Sequence, residues 1–209
     1  MEFVFVAPRE ELFPACYPQG FHAFSGEGAG QQFVERLAAT GFFVERARAE
    51  RTPAWKQVIP YCVVQHEGRI LRMRRRPKGG EARLFDKLTI GVGGHINPVD
   101  QESASSTLFA RAARRELEEE LEVRGEYELR LCGFLNDDSN PVGAVHLGLI
   151  HVVTCMEPVG IREHDVLVGE LIEPEQLLSE ARRGEDFETW SRTLIDHLGE
   201  LCVHAPATT

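Results

Sequence analysis

The residues best suited to chemistry lie in one short acidic stretch, residues 115–123. At the helical spacing of about 100° per residue, Glu116, Glu119 and Glu120 fall together along one edge of an apolar stripe. Carboxylates gathered beside a buried surface repel one another strongly, because local screening is weak there. A hard divalent cation would relieve this repulsion, and oxygen ligands of this kind suit Mg²⁺ or Mn²⁺. The apolar stripe comprises Phe109, Ala113, Leu117 and Leu121.

The acidic stretch also has a simpler interpretation. Charge runs on helices are common, and a solvated acidic face with i, i+4 pairs to Arg111 and Arg115 would give the same composition. The preceding residues favour the metal site. Residues 88–92 are a short apolar run that leads into Gly93 and Gly94. Glycines at such a turn let backbone groups approach a metal ion or a phosphate.

The elements that must position this helix follow from the hydrophobic pattern. Strand-like runs and helical periods alternate along the chain, which indicates a sheet covered by helices, an α/β or α+β fold. A turn at Glu67 and Gly68 predicts a hairpin between residues 57–65 and 69–76. The other predicted strands are residues 2–7, 126–135 and 142–154, the predicted helices are residues 31–40, 102–123, 174–181 and 187–201, and residues 8–30 are predicted to be rich in loops.

Residues 94–123 resemble the signature of the Nudix hydrolases, G-x5-E-x7-R-E-U-x-E-E-x-G-U, in which U is a bulky aliphatic residue. Arg115 and Glu116 match the RE pair of the signature, and Glu119 and Glu120 match its EE pair. The remaining matches are Leu117 and Val123 at the aliphatic positions and Gly94 at the first glycine.

The chain departs from this signature in three respects. Asp100 stands where the signature has its first glutamate, with Glu102 as the alternative. Fourteen residues separate Asp100 from Arg115 instead of seven, which amounts to an insertion of seven residues. Glu122 replaces the second glycine, so the helix must end differently. None of these departures removes the RE pair or the EE pair.

The resemblance implies a fold and a domain organisation. The expected fold class is α/β (α+β), a Nudix-like α/β/α sandwich with a mixed β-sheet. The hydrolase domain would cover residues 54–205. Residues 1–53 would form an N-terminal extension of strand, loop and helix that packs on this domain.

The resemblance also implies an activity. Nudix enzymes hydrolyse a nucleoside diphosphate linked to another moiety, by attack of a metal-activated water on phosphorus. Glu116, Glu119 and Glu120 would bind Mg²⁺, or Mn²⁺ as a substitute, and the Gly94 carbonyl would be a further ligand. Arg115 would orient the glutamates by ion pairing, and a purely structural ion pair is the alternative. The expected partner is a small nucleotide-type substrate.

Other titratable residues are weaker candidates. Many Nudix proteins place another metal ligand or base in a later loop, and Glu163, seven residues before Glu170, is the candidate by this resemblance. A solvated loop acid is the commoner case, and the same loop also carries Glu157 and Asp165. No ligand spacing connects the histidines, which we interpret as structural: His95, His146 and His151.

Basic residues concentrate in residues 69–87, where eight bases and two acids give a net charge of +6 in a chain of −10. On a strand, Arg72, Arg74 and Arg76 alternate onto one face. Arg72, Arg74 and Arg83 are the candidates for binding substrate phosphates, since guanidinium forms bidentate phosphate contacts. A charged hairpin edge that discourages aggregation is the alternative, with equal weight.

Composition excludes several classes of protein. The 209 residues are 43% hydrophobic and 27% charged, as in soluble globular proteins. No apolar run approaches the ~18 residues of a membrane-spanning helix, and the N-terminus does not resemble a signal peptide. The net charge of −10 makes nucleic acid an unlikely partner. Five scattered cysteines without a CxxC pair predict reduced thiols, so we expect a cytoplasmic protein, with a homodimer as the default assembly.

Two other functions stay open at this point. A non-catalytic Nudix-like module would bind a nucleotide or sugar nucleotide as a sensor or regulator. The intact RE and EE pairs favour the enzyme, because a pure binding module does not need clustered carboxylates. An RNA-directed pyrophosphohydrolase would use the basic hairpin on an RNA end, and the acidic balance of the remaining chain disfavours it.

Overall fold

The computed structural model describes residues 1–75, 86–101, 108–162 and 167–201. Several residues singled out in the sequence lie outside these ranges, so the expectations attached to them stay predictions. They are Arg76, Arg83, Glu102, Glu163 and Asp165.

The described residues form twelve strands and six helices. The strands are β1 (Phe3–Pro8), β2 (Gly20–Ala23), β3 (Phe42–Glu45), β4 (Trp55–His66), β5 (Arg69–Arg75), β6 (Leu88–Thr89), β7 (Gly91–Gly93), β8 (Leu121–Glu122), β9 (Tyr127–Asn136), β10 (His146–Cys155), β11 (Gly160–Ile161) and β12 (Leu167–Ile172). The helices are α1 (Arg9–Leu12), α2 (Ala29–Thr40), α3 (Arg46–Ala49), α4 (Leu108–Glu120), α5 (Pro174–Arg182) and α6 (Thr189–Asp196). Within these ranges, no helix is long and apolar enough to cross a membrane.

Ten of the strands belong to one mixed sheet. Its main path runs β12-β5-β4-β10-β9-β2, with β1 and β7 also paired to β4, β3 to β1, and β6 to β5. The strands β8 and β11 form a separate antiparallel pair. A mixed sheet combined with helices confirms the predicted α+β class.

The described residues divide into two compact units. The first unit comprises residues 1–61, 93–101, 108–115 and 131–150, and the second comprises residues 62–75, 86–92, 116–130, 151–162 and 167–201. The division into an extension (1–53) and a hydrolase domain (54–205) stays a prediction.

The first unit is organised around β1, which pairs with β3 along one edge and with β4 along the other. One face of β1 contributes to the main core cluster, and the other face contributes Val4 and Val6 to a smaller cluster. The predicted helix over residues 31–40 is confirmed as α2, whose backbone ends at Gly41. The main cluster consists of Phe5, Ala7, Leu12, Val34, Leu37, Val58, Ile96, Leu108, Phe109, Ala112, Leu147 and Leu149.

The second unit contains the predicted hairpin, formed by β5 and the end of β4. Glu67 and Gly68 have φ angles of 50° and 79°, the positive values that a two-residue type I′ turn requires. The register places Gln65 opposite Ile70 and His66 opposite Arg69. The turn chemistry therefore fixes which side chains of β5 share a face with those of β4.

The acidic helix ends earlier than the sequence pattern predicts. We expected helix to residue 123, whereas α4 ends at Glu120 and Leu121–Glu122 forms β8. Leu121 is fully buried and lies opposite Ile161 of β11. Since Glu122 stands in place of the terminal glycine of the signature, the chain passes from helix into strand without a glycine cap.

The bounds of two other elements and the content of one segment also differ from prediction. The strand expected from residue 142 begins at His146, because Asn140 Oδ1 accepts hydrogen bonds from the backbone N–H groups of Val142 and Gly143 and holds a turn there. The C-terminal helix, expected over residues 187–201, spans only Thr189–Asp196. The segment 8–30, expected to be rich in loops, contains α1 and β2.

Gly93, at the end of β7, offers a test of close backbone packing. A Cβ atom there would lie 2.5 Å from the Pro60 carbonyl oxygen and 3.3 Å from Tyr61 Cα, and backbone atoms cannot move aside easily. We expect Gly93→Ala to lower the free energy of unfolding by about 1–3 kcal/mol in urea denaturation. The matched control is Gly199→Ala, where an added Cβ meets nothing within 4 Å. Equal unfolding midpoints for the two variants would contradict this packing.

Candidate active site

The acidic edge lies on the last turns of α4, as the sequence predicts. Ala112, Ala113 and Leu117 are buried, whereas Glu116 and Glu120 are half-buried and Glu119 is exposed. Glu116 and Glu120 stand one helical turn apart, with Glu119 beside Glu120. Three carboxylates therefore follow one another along the margin between the buried and the solvated side of α4.

Within the second unit, the charge of Glu116 acts on the buried strand β4. Burial and, to a smaller extent, the negative charge of Glu116 raise the pKa of the Cys62 thiol to about 12. Cys62 thus stays protonated at neutral pH. Like the other cysteines of the described ranges, it forms no disulfide. The carboxylate of Glu116 is therefore close enough to the sheet to act on a side chain of the core.

The end of α4 is also secured within the second unit. The backbone N–H of Arg162 donates a hydrogen bond of 2.9 Å to the Glu120 carbonyl oxygen. This bond satisfies one of the carbonyl groups that a helix C-terminus leaves unpaired. Together with the β8–β11 pairing, it fixes the turn that carries Glu119 and Glu120.

In the first unit, Arg115 anchors the loop that follows the Gly-Gly turn. Its Nε and Nη2 atoms donate to Asp100 Oδ1 and Oδ2, both at 2.9 Å, and Nη2 also donates to the His95 carbonyl oxygen at 2.9 Å. Asp100 is only 4% exposed. A bidentate, charge-assisted pair with a buried carboxylate has a defined geometry. The predicted role of Arg115 in orienting the glutamates stays a prediction.

Asp100 has a second structural role in the same loop. Its carboxylate accepts a hydrogen bond of 2.8 Å from the Asn97 backbone N–H, which completes a capping box around the 3₁₀ turn Pro98–Asp100. Asp100 therefore holds both the start of the turn and Arg115. The assignment of Asp100 or Glu102 to the first acid of the signature stays a prediction.

His95, next to Gly94, lies in a polar environment of the first unit. Burial, together with the charges of Arg46 and His146, lowers the pKa of His95 to about 4, against the opposite effect of Glu2 and Glu50. Its imidazole is therefore neutral at neutral pH. The His95 and His146 rings lie 5.7 Å apart between centroids. The role of Gly94 as a metal ligand stays a prediction.

Two arginines of the basic hairpin already contact oxygen atoms within the second unit. Arg72 forms ion pairs with Glu170 of β12 and with Glu180 of α5, the latter at 2.6 Å. Arg74 donates to the Asp86 carbonyl oxygen at 3.1 Å. By the alternation of the β4–β5 hairpin, both arginines lie on the sheet face opposite Cys62. Their role in binding phosphate stays a prediction, and a phosphate would compete with two carboxylates for Arg72.

Sequence reasoning missed the ionic centre of the first unit. Lys56 is fully buried, and its Nζ donates to Asp138 Oδ1 at 2.6 Å and to the Gly143 carbonyl oxygen at 3.0 Å. Tyr17 also donates to Asp138 Oδ1, at 3.1 Å. The available signal was a lysine at the start of a largely apolar strand. A charge is too costly to bury there without a partner, so a buried lysine requires an acidic or carbonyl group beside it.

The donor set of α4 fits a hard divalent ion by chemistry. Its three carboxylates provide the oxygen ligands that Mg²⁺ prefers. In the described ranges, no three His, Cys, Asp or Glu side chains are grouped closely enough to hold a metal ion. The three glutamates therefore match a Mg²⁺ site in their residue type and in their position on the helix.

This chain is similar to known proteins both in sequence and in structure. No family model matches the chain. Protein YmaB of Bacillus subtilis (strain 168) is 30% identical over 205 residues, which cover 94% of this chain and 97% of that protein. The crystal structure of Tm1382, described as a candidate Nudix hydrolase, aligns with a TM-score of 0.79 and 28% identity over 97% of this chain and 100% of that one.

A more distant solved structure shares only the fold. The Nudix hydrolase from Alicyclobacillus acidocaldarius aligns with a TM-score of 0.54 at 13% identity. The alignment covers 72% of this chain and 93% of that one.

The Arg115–Asp100 pair allows a quantitative test. We expect Asp100→Asn to lower the free energy of unfolding by about 3–5 kcal/mol, because it leaves the partly buried guanidinium without its bidentate partner. Urea denaturation measures the change. The control is Glu122→Gln, which removes the exposed Arg124–Glu122 pair and should change stability by less than about 1 kcal/mol. A loss for Asp100→Asn no larger than that of the control would contradict the anchoring role.

Proposed function

The chain belongs to the Nudix hydrolase family, whose members hydrolyse phosphorus-containing anhydrides, and we propose that it is a Mg²⁺-dependent pyrophosphohydrolase acting on a nucleoside diphosphate linked to another moiety. The observation that carries the proposal is the acidic edge of α4. Glu116, Glu119 and Glu120 follow the Arg115 that anchors the loop 95–100.

The proposed roles of the residues rest on the signature and on the position of the glutamates on α4. Glu116, Glu119 and Glu120 would hold the metal ion, with the Gly94 carbonyl as the proposed further ligand. When bound, the ion lowers the pKa of a water molecule and offsets charge on the pyrophosphate. Arg115 holds the loop after Gly94 through Asp100 and the His95 carbonyl, and its proposed role in catalysis is to orient the glutamates.

The reaction exchanges one P–O bond for another. The oxygen of the attacking water forms a bond to phosphorus, the anhydride P–O bond breaks, and the departing phosphate takes the electron pair. The proton of the water needs an acceptor, and Glu163 is the proposed one among the acids of the later loop. Arg72, Arg74 and Arg83 remain the proposed contacts to the substrate phosphates.

The substrate class, the alternative metal ion, the location and the assembly of the enzyme are also proposals. The partner is a small nucleotide-type substrate, and Mn²⁺ is expected to replace Mg²⁺. A cytoplasmic location and a homodimer stay predictions from the sequence.

A hydrolysis screen with a matched variant tests the proposal. Purified protein is incubated with Mg²⁺ and a panel of nucleoside triphosphates, ADP-ribose, dinucleoside polyphosphates, NADH, coenzyme A and sugar nucleotides, and phosphate is detected after treatment with a phosphatase. We expect turnover of at least one class of compound. The double variant Glu119→Gln/Glu120→Gln should lose about 10³-fold in kcat, because several kcal/mol of transition-state stabilisation disappear with the metal ligands.

The control variant lies on the same helix. Glu118→Gln removes an exposed carboxylate whose Oε1 accepts a long hydrogen bond of 3.4 Å from Tyr127, and it should keep its activity. EDTA should abolish turnover of the wild-type protein. Undiminished turnover in the double variant would refute the proposed roles. Ligand-induced stabilisation without any turnover would favour the sensor module instead.

A further inference from the structure

The segment that follows the Gly-Gly turn is held by two different elements of the first unit. Arg115 of α4 donates a hydrogen bond of 2.9 Å to the His95 carbonyl oxygen. The backbone N–H of Phe5 in β1 donates to the next carbonyl oxygen, that of Ile96, also at 2.9 Å. The N-terminal strand therefore contacts this segment as directly as the acidic helix does.

Asn97 adds side-chain hydrogen bonds to this contact. Its Nδ2 atom donates to the Phe3 carbonyl oxygen of β1 at 2.9 Å, across 94 positions of the sequence. The Asn97 side chain also hydrogen-bonds to the carboxylate of Glu2. Its Oδ1 atom accepts a long hydrogen bond of 3.4 Å from Arg115 Nη2. One carboxamide thus connects the start of β1, the loop and α4.

Glu2, immediately before β1, contacts both α3 and the loop. Its Oε2 atom accepts a hydrogen bond of 3.0 Å from Arg46 Nη1, and its backbone carbonyl accepts one of 2.9 Å from the Arg46 N–H. Its Oε1 atom lies 3.7 Å from His95 Nδ1. Burial raises the pKa of Glu2, but Arg46 and Asn97 outweigh this effect and the pKa is lowered. The ionised carboxylate therefore holds Arg46 and Asn97 together.

Gly94 lies between two anchored stretches of backbone. Before it, β7 ends at Gly93, which packs so closely that an added Cβ would lie 2.5 Å from the Pro60 carbonyl oxygen. After it, the carbonyl groups of His95 and Ile96 both accept hydrogen bonds. A carbonyl group between two fixed stretches keeps a defined direction, and supporting contacts of this kind preorganise a ligand.

We infer that Glu2 and Asn97 are positioning residues, through which the N-terminal strand fixes the Gly94 carbonyl for metal binding. The inference rests on the proposed function, in which that carbonyl is a metal ligand. Groups that orient a metal ligand change the affinity for the metal although they do not touch it. It follows that residues 1–53, expected from the sequence to be an extension packed on the hydrolase domain, supply part of the scaffold of the active site.

Mn²⁺ titration of the metal-free protein, followed by electron paramagnetic resonance, tests the inference without turnover. We expect Glu2→Ala to raise the dissociation constant for Mn²⁺ about tenfold, the lower end of the loss that follows removal of a group orienting a metal ligand. Asn97→Ala should have an effect at least as large. The double variant Glu2→Ala/Asn97→Ala should lose no more affinity than Asn97→Ala alone, because Glu2 acts through Asn97.

The matched control is Glu50→Ala, which removes the other carboxylate paired with Arg46. Glu50 Oε1 accepts a hydrogen bond of 2.9 Å from Arg46 Nε, and this pair spans only four positions of the sequence. The side chains of Glu2 and Glu50 are 44% and 48% exposed, so both variants should fold and show the same small change in urea midpoint. We expect Glu50→Ala to keep the Mn²⁺ affinity of the wild type.

The outcomes separate this inference from the proposed function. Mn²⁺ affinity equal to that of the wild type in Glu2→Ala and Asn97→Ala would overturn the inference alone. Equal weakening by Glu2→Ala and Glu50→Ala would do the same, because the effect would then come only from the lost ion pairs of Arg46. A wild-type protein that binds no Mn²⁺ would refute the proposed function, and the inference would fall with it.

Discussion

The bidentate ion pair between Arg115 and Asp100 is the interaction on which the loop after the Gly-Gly turn depends. Glu116, Glu119 and Glu120 follow Arg115 on the last turns of α4, and contacts within the second unit hold the end of that helix. Leu117 is buried, and the Glu120 carbonyl accepts a hydrogen bond from Arg162. In the first unit, Asp100 is buried, so removal of its carboxylate would leave the Arg115 guanidinium without its bidentate partner.

Among the described residues, the buried polar side chains differ in how far the fold satisfies them. Lys56 is matched by Asp138, and Arg115 by Asp100, so these charges serve the fold. Gln57 differs, because among the described residues it alone has both polar side-chain atoms buried without a partner.

Local signals predicted much of this structure, and long-range pairing accounts for most of what they missed. The Glu67-Gly68 turn and the period of α4 depend on neighbouring residues, so the sequence shows them directly. The ion pair of Arg72 with Glu180 was hidden, because the two residues lie 108 positions apart and no spacing rule reveals such a pair. The end of α4 was similarly hidden, since it depends on the pairing of β8 with β11. The candidate glutamates were predicted from the signature, whereas the burial of Gln57 is a property of the fold.

The central claim is that the acidic edge of α4 binds a divalent cation, and Mn²⁺ binding followed by electron paramagnetic resonance tests it most directly. Titration of the metal-free protein should show saturable loss of the free Mn²⁺ signal, with Mg²⁺ as a competitor. Binding should be lost in the Glu119→Gln/Glu120→Gln protein and retained in Glu118→Gln. Identical Mn²⁺ binding by all three proteins would contradict the account.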